Sequence, residues 1–171
     1  MEIWDVYDED RRPTGKTAVR GRAEPGLHLI VHVCLFSPGG RLLAQKRHRD
    51  KSMWPGLWDL SAGGAALAGE NSRQAAERET WEELGYALDL RGVRPALTVN
   101  FSRGFDDLYA LVCDVELSRL RMQPSEVEAL AWLERDQVHQ KIDRGEFVPY
   151  RRALIDLLFD MRGSMGNLAP R

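Results

Sequence analysis

The apolar runs of this 171-residue chain predict an α/β/α sandwich, a mixed central β-sheet packed between helices. Three observations carry that expectation. Residues 27–36, LHLIVHVCLF, form a near-continuous apolar run of strand length, as a strand buried on both faces does. Further strand-like runs lie at 41–46, 93–101, 107–116 and 127–133. Helical patterns at 72–84, 135–143 and 148–161 are interleaved with these strands.

In chain order, residues 2–7 and 16–21 predict a hairpin around Pro13-Thr14-Gly15, within an N-terminal segment 1–22. Pro38-Gly39-Gly40 turns strand 27–36 back into 41–46, and residues 57–62 lead into a glycine-rich stretch. Asn71 followed by Gln74 reads as a capping box, and Gly85 as the left-handed residue that ends the helix. Ala76, Thr80 and Leu84 form its packed stripe, while Glu79, Glu82 and Glu83 share another face. Ser102-Arg103-Gly104 separates two strands, and Leu154, Leu157, Leu158 and Met161 mark the buried face of the last helix. One domain is expected over 1–161, with a flexible tail at 162–171.

Composition narrows the function. Net charge is −2 and the basic residues are dispersed, so a nucleic-acid surface is not indicated. Cys34 and Cys113, the two cysteines, lie inside apolar runs and read as buried free thiols, not a zinc or redox pair. No apolar run reaches 18 residues and the N-terminus is acidic, so neither a membrane span nor a signal peptide is expected. The expectation is a cytoplasmic protein; a homodimer is compatible with the sequence.

Residues 64–86, GAALAGENSRQAAERETWEELGY, carry the chemistry. Gly64, Glu70, Arg78, Glu79, Glu82, Glu83 and Gly85 place four carboxylates and one guanidinium on a loop followed by a helix. At average residue usage, seven fixed residues at fixed spacing arise about once in 10⁸ windows. Glutamates at i, i+3 and i+4 repel one another, and a divalent cation reverses that repulsion. All-oxygen ligands suit Mg²⁺ or Mn²⁺ rather than zinc. Gly63 and Gly64 permit close backbone approach, so the Gly63 carbonyl is a further candidate ligand. A solvated acidic helix face would leave Glu70 and the two flanking glycines unexplained.

The stretch resembles the Nudix box, G-x5-E-x7-R-E-U-x-E-E-x-G-U, with Thr80 and Tyr86 at the U positions. The resemblance implies the Nudix α/β/α sandwich and hydrolysis of a diphosphate linkage in a small-molecule substrate with Mg²⁺, or with Mn²⁺ as a substitute. It implies Glu79, Glu82 and Glu83 as metal ligands, one of them also acting as or positioning the general base. Arg78 would orient a glutamate, and Glu70 would be an outer or additional ligand. Many members draw another acidic residue from outside the box. Asp106, Asp107, Glu126 and Glu128 are candidates here, and Glu126 is preferred for the loop it occupies before a strand.

Beyond the box, His28, Gln45, Arg47, Lys51, Pro55, Gly56 and Trp58 resemble the isopentenyl-diphosphate isomerase branch, with Trp54 where that branch has Phe. The resemblance implies Arg47 and Lys51 as contacts to the substrate diphosphate. Where the isomerases carry a catalytic Cys and a metal-binding His, this chain has Gly63 and Ala65. Gly63 offers no proton donor or acceptor, so the expectation is a hydrolase acting on a nucleoside diphosphate derivative or related organic diphosphate. Isomerisation and a noncatalytic ligand-sensing domain are the alternatives. His28 without its partner reads as a packed histidine. Trp54, Trp58, Phe101, Phe105 and Tyr109 are mostly core residues that could include a stacking wall.

Overall fold

The structure is a computed structural model and describes residues 2–20, 26–164 and 166. The first ribbon pairs β1 (Ile3–Tyr7) with β2 (Pro13–Val19) in antiparallel fashion. Its turn is Asp8–Arg12, not Pro13-Thr14-Gly15. The Asp8 carboxylate accepts from the Arg12 amide at 2.8 Å, and the Asp8 carbonyl accepts from the Arg11 amide at 3.1 Å. That side-chain closure supplies the turn without proline or glycine. Pro13-Thr14-Gly15 instead lies in β2, where the register shifts and Gly15 takes φ +77° in a bulge. Residues 1, 21 and 22 of the expected hairpin segment lie outside the described residues, as do 165 and 167–171 of the expected tail.

The main sheet contains β3 (His28–Phe36), β4 (Leu42–Arg47), β5 (Trp58–Asp59), β6 (Ala62–Ala65), β7 (Leu97–Phe101), β8 (Gly104–Val112) and β9 (Val127–Leu133). Its order is β5-β4-β3-β8-β7, with β6 also paired to β3 and β9 to β4. β3 and β8 run parallel from His28↔Gly104 to Phe36↔Val112, and the remaining pairs are antiparallel, so the sheet is mixed. β3 and β4 meet only at Phe36↔Leu42. Beyond that point they diverge, β6 continuing along β3 and β9 along β4. The resulting gap in the sheet is where the polar site lies.

α1 (Ser72–Leu84) covers one face, packing Ala75, Ala76 and Leu84 with Val31, Val33, Leu35 and Leu43. α2 (Arg135–Asp143) and α3 (Arg152–Met161) cover the other, where Val138, Ile155, Leu158 and Phe159 meet Cys34, Phe36, Leu42 and Leu108. The alternation along β3 sends Val31, Val33 and Leu35 to α1, and Cys34 and Phe36 to α2 and α3. Both cysteines are buried and free.

Several boundaries differ from expectation. Residues 57–62 are not a simple lead-in: they contain β5 and the start of β6. β7 starts at Leu97 and β8 at Gly104, because the strands register tightly around a turn at Ser102-Arg103, with Phe101 opposite Gly104. The last helix starts at Arg152, not residue 148. The Trp58 amide donates to the Glu146 carbonyl and the Val148 amide to the Trp58 carbonyl, so this segment is held extended against β5. Leu157 faces solvent. The buried face runs through Ile155, Leu158, Phe159 and Met161, with Phe159 edge-on to Phe36 at 5.0 Å. Among the described residues, no helix is long and apolar enough to cross a membrane.

Candidate active site

α1 starts and stops as its sequence dictates. Asn71 Oδ1 accepts from the Gln74 amide and Gln74 Oε1 from the Asn71 amide, each at 3.0 Å. Gly85 ends the helix at φ +63°. This fixes the direction in which the acidic residues emerge.

Arg78 organises them. Its Nε and Nη2 donate to the two oxygens of Glu70 at 2.8 and 3.0 Å. Nη1 donates to Glu79 and Glu82, both at 2.9 Å, and Nη2 also donates to the Ala65 carbonyl at 3.0 Å. These bonds match the five N–H groups of a guanidinium, a geometry lysine cannot reproduce. Burial works against the Arg78 charge, but Glu70, Glu79 and Glu82 outweigh it and hold the group protonated. Burial likewise opposes the Glu70 charge, yet Arg78 and the Leu67 amide hold its carboxyl below the ordinary range.

The three glutamates of α1 do not share one environment. Glu82 is exposed, Glu79 half-buried and Glu83 buried. Glu79 lies against Gly64, and a Cβ on Gly64 would overlap its carboxylate. A side chain at 64 would therefore displace the Glu79 carboxylate from its place beside Arg78. Glu83 Oε2 accepts from Gln45 Nε2 at 2.9 Å and the Gly63 amide at 3.1 Å, filling the gap between β4 and β6. Burial pushes the Glu83 carboxyl up to about 7, and the Glu79 charge adds to the shift. Gly63 pairs with His32 across β3–β6 while its amide points away to Glu83. In an extended strand a residue's amide and carbonyl share one side, so the Gly63 carbonyl also faces the open edge.

The expected cations are less free than their sequence context implies. Arg47 Nη1 donates to Asp59 at 3.0 Å and its Nε to the Met53 carbonyl at 3.1 Å. Lys51 pairs with Glu126 and is close enough to Glu83 and Glu79 to feel their charge, although burial is the larger influence and lowers its pKa. Of the four acidic candidates outside the box, Glu126 is the one paired with Lys51. Asp106 pairs with His32, Asp107 with Arg11 and Thr98, and Glu128 with Lys46 and Arg49. Among the aromatic candidates, Phe105 and Tyr109 are core, Phe101 packs edge-on to His28, and Trp58 lies under Lys141. Trp54 is exposed and takes φ +51°, uncommon for a bulky side chain. His28 stacks on Trp4 at 4.6 Å between ring centroids, and burial lowers its pKa. It is a packed histidine.

The structure adds residues that sequence patterns did not single out. His32 Nδ1 is 2.9 and 3.0 Å from the Asp106 oxygens, and its Nε2 is 3.3 Å from the Tyr150 hydroxyl. Tyr150 donates to Asp59 at 2.8 Å, and Asp59 accepts from Arg47. A polar chain thus runs Asp106–His32–Tyr150–Asp59–Arg47 behind Gly63. Burial opposes protonation of His32, but Asp106, helped by Asp59 and Glu83, outweighs it and raises the pKa to about 9. The one available signal was a histidine at an inward position of an apolar strand. Its partners come from distant elements.

The donor set fits a hard divalent cation: carboxylates of Glu79 and Glu83, with Glu82 and Glu70 adjacent, and the Gly63 carbonyl at the same edge. Three carboxylates, those of Glu70, Glu79 and Glu82, share one guanidinium, and Glu83 lies beside them without a contact to it, so acidic groups are in excess. Among the described residues no three of these side chains already converge on a single metal position; Arg78 holds Glu70, Glu79 and Glu82 instead.

Comparison with known proteins agrees with this geometry. A family profile described as NUDIX domain matches residues 26–156. The chain is 46% identical over 166 residues to an uncharacterized Nudix hydrolase of Listeria monocytogenes, covering 96% of this chain and 97% of that one. It is 34% identical over 143 residues to an isopentenyl-diphosphate delta-isomerase of Frankia alni, covering 79% and 73% respectively. A solved Deinococcus radiodurans structure superposes with a TM-score of 0.73 at 24% identity, over 92% of this chain and 97% of that one. The profile match and the near full-length Listeria relative lead to one conclusion: this chain belongs to the Nudix family, with isomerases among its more distant relatives.

Proposed function

We propose that this Nudix protein hydrolyses the diphosphate linkage of a nucleoside diphosphate derivative or related organic diphosphate, using Mg²⁺ with Mn²⁺ as a substitute. Two observations together carry the reading: Arg78 is saturated by Glu70, Glu79, Glu82 and the Ala65 carbonyl, and buried Glu83 is held by Gln45 and the Gly63 amide on the adjoining edge. Glu83 lies against the Gly63 backbone, with Lys51 close by.

When bound, the cation neutralises diphosphate oxygens and lowers the pKa of a bound water. Glu79, Glu82, Glu83 and the Gly63 carbonyl would hold it, with Glu70 as an outer support and Glu126 as the acid from outside the box. Arg78 keeps Glu70 and Glu79 in fixed orientations through charge-assisted bonds. One of the three glutamates of α1 would also act as, or position, the general base for the attacking water. Lys51 offers an ammonium to the phosphate that is not attacked, and Arg47 braces the loop that carries it.

The isomerase alternative gains no support. Gly63 has no side chain for proton transfer, and a side chain there would collide with His32. The test is a purified-protein screen of nucleotide sugars, dinucleotides, nucleoside di- and triphosphates and prenyl diphosphates, with Mg²⁺, Mn²⁺ or EDTA. Metal-dependent release of a phosphorylated product is expected. Failure on every diphosphate, or turnover undiminished in EDTA, refutes the proposal.

A further inference from the structure

The face of the sheet toward α2 and α3 changes character along β3 and β8. At one end, Cys34, Phe36 and Leu108 are fully buried beneath the helices. At the other, the same face presents His32 and Asp106, whose side chains keep 17% and 14% of their exposure. Tyr150, immediately before α3, closes over them. Ile30 and Val99 flank Asp106 across the strands and are only partly buried. This end of the face therefore has a polar, partly exposed centre with partly buried apolar neighbours. It adjoins Gly63, the residue opposite His32.

Polar groups on a central parallel strand pair need a reason, because such strands are normally apolar on both faces. A purely structural role would bury and saturate them. Here saturation is incomplete. Both Asp106 oxygens face the single Nδ1 of His32, which leaves carboxylate lone pairs free. Tyr150 gives its proton to Asp59, and its oxygen accepts from the protonated His32 Nε2 at a long 3.3 Å, which leaves one lone pair for a ligand. An acceptor-rich floor suits a ligand that brings hydrogen-bond donors. A hydrocarbon seated there would strip water from these groups and return nothing.

We propose that His32, Asp106 and Tyr150 are specificity-determining residues, a hydrogen-bonding floor for the organic group beyond the diphosphate. The floor selects a hydroxyl- or amine-bearing group, such as a sugar or nucleoside, over a hydrocarbon chain. This rests on the hydrolase reading above and narrows its substrate class. Mixed lining of this kind, apolar with a few placed polar groups, is what orients small ligands. A site built to hydrogen-bond rejects analogues that lack the partner far more strongly than an apolar pocket rejects a hydroxyl.

The experiment compares a nucleoside diphosphate sugar with dimethylallyl diphosphate in Mg²⁺, reading kcat/KM for each, and adds calorimetric affinity for a nucleoside diphosphate and for dimethylallyl diphosphate. Wild type should favour the polar substrate by about 100-fold or more. Tyr150→Phe and Asp106→Asn should each erode that ratio by about tenfold. His32→Leu should erode it further, and His32→Gln should retain most of it. If His32→Leu does not fold, Tyr150→Phe, which loses one hydroxyl, carries the test. A ratio unchanged in folded Tyr150→Phe and Asp106→Asn overturns the proposal, as does a wild type that discriminates neither in turnover nor in binding. A wild type that hydrolyses both substrates equally refutes the floor and leaves the hydrolase. One that hydrolyses neither but binds the nucleoside diphosphate selectively supports the floor and refutes the hydrolase.

Discussion

Gly63 stands against His32: a Cβ built on the glycine would lie 2.6 Å from His32 Cδ2 and 2.8 Å from the Val31 carbonyl oxygen. The two form a pair whose Gly63 amide turns outward to Glu83, and such pairs bring their side chains closest. Gly63→Ala should therefore destabilise the fold by about 1–3 kcal/mol, the usual cost of overpacking. His32→Ala in the same chain should recover part of that loss. Urea denaturation of the two single variants and the double variant measures the coupling. A Gly63→Ala protein as stable as wild type would show that the strands separate at no cost.

Arg78→Lys keeps the charge but not the planar fork, so Glu70 loses its two-point contact and the Ala65 carbonyl its donor. A loss of about 2–4 kcal/mol is expected, below the figure for a fully buried pair because Arg78 is partly exposed. Chemical denaturation checks it. Stability within 0.5 kcal/mol (roughly the scatter of neutral surface substitutions) contradicts the organising role.

Glu83→Gln keeps one acceptor for Gln45 and Gly63 but removes the anion. The variant should fold and lose about 10²-fold or more in kcat, the range for a major electrostatic group. Circular dichroism with steady-state kinetics on the best substrate tests this. Near-normal turnover counts against Glu83 as a ligand or base.

Arg47 and Lys51 should separate. Arg47→Ala leaves the buried Asp59 carboxylate without its cation, so stability should fall by about 1–3 kcal/mol. Lys51→Ala should act mainly on KM, raising it roughly 10-fold or more through loss of a charged contact. Unaltered KM for Lys51→Ala across the substrates found by the screen returns it to a surface pair with Glu126.

Metal-free protein should lose stability as pH rises from about 5 to 9. His32 has a folded pKa of about 9 against an ordinary value of 6.5, so folding takes up a proton and its contribution fades through that interval. Glu83 has a folded pKa of about 7 against 4.5, so its burial cost appears as it ionises between those values. Both slopes have the same sign. Denaturation in EDTA at pH 5.5, 7 and 8.5 should show the decline, and Glu83→Gln should flatten its lower half. A rise over this range opposes both assignments.

The sequence alone determined the box helix almost to the residue. Asn71, Gln74 and Gly85 are local signals whose partners lie within a turn, and the structure runs from Ser72 to Leu84 as they dictate. The mixed sheet between helices and the family were equally legible, because strand and helix periodicities and motif spacing are properties of contiguous residues. The N-terminal turn was misplaced, because Asp8 closed it with a side chain while Gly15 served a bulge. The last helix was begun too early, because Val148 is held extended by Trp58, ninety residues before it in the chain. Only the tertiary structure separated exposed Glu82 from buried Glu83, tied Arg47 to Asp59, and brought His32, Asp106 and Tyr150 together behind Gly63. Burial and long-range pairing fix the charge and reach of each side chain, and neither is encoded in local spacing.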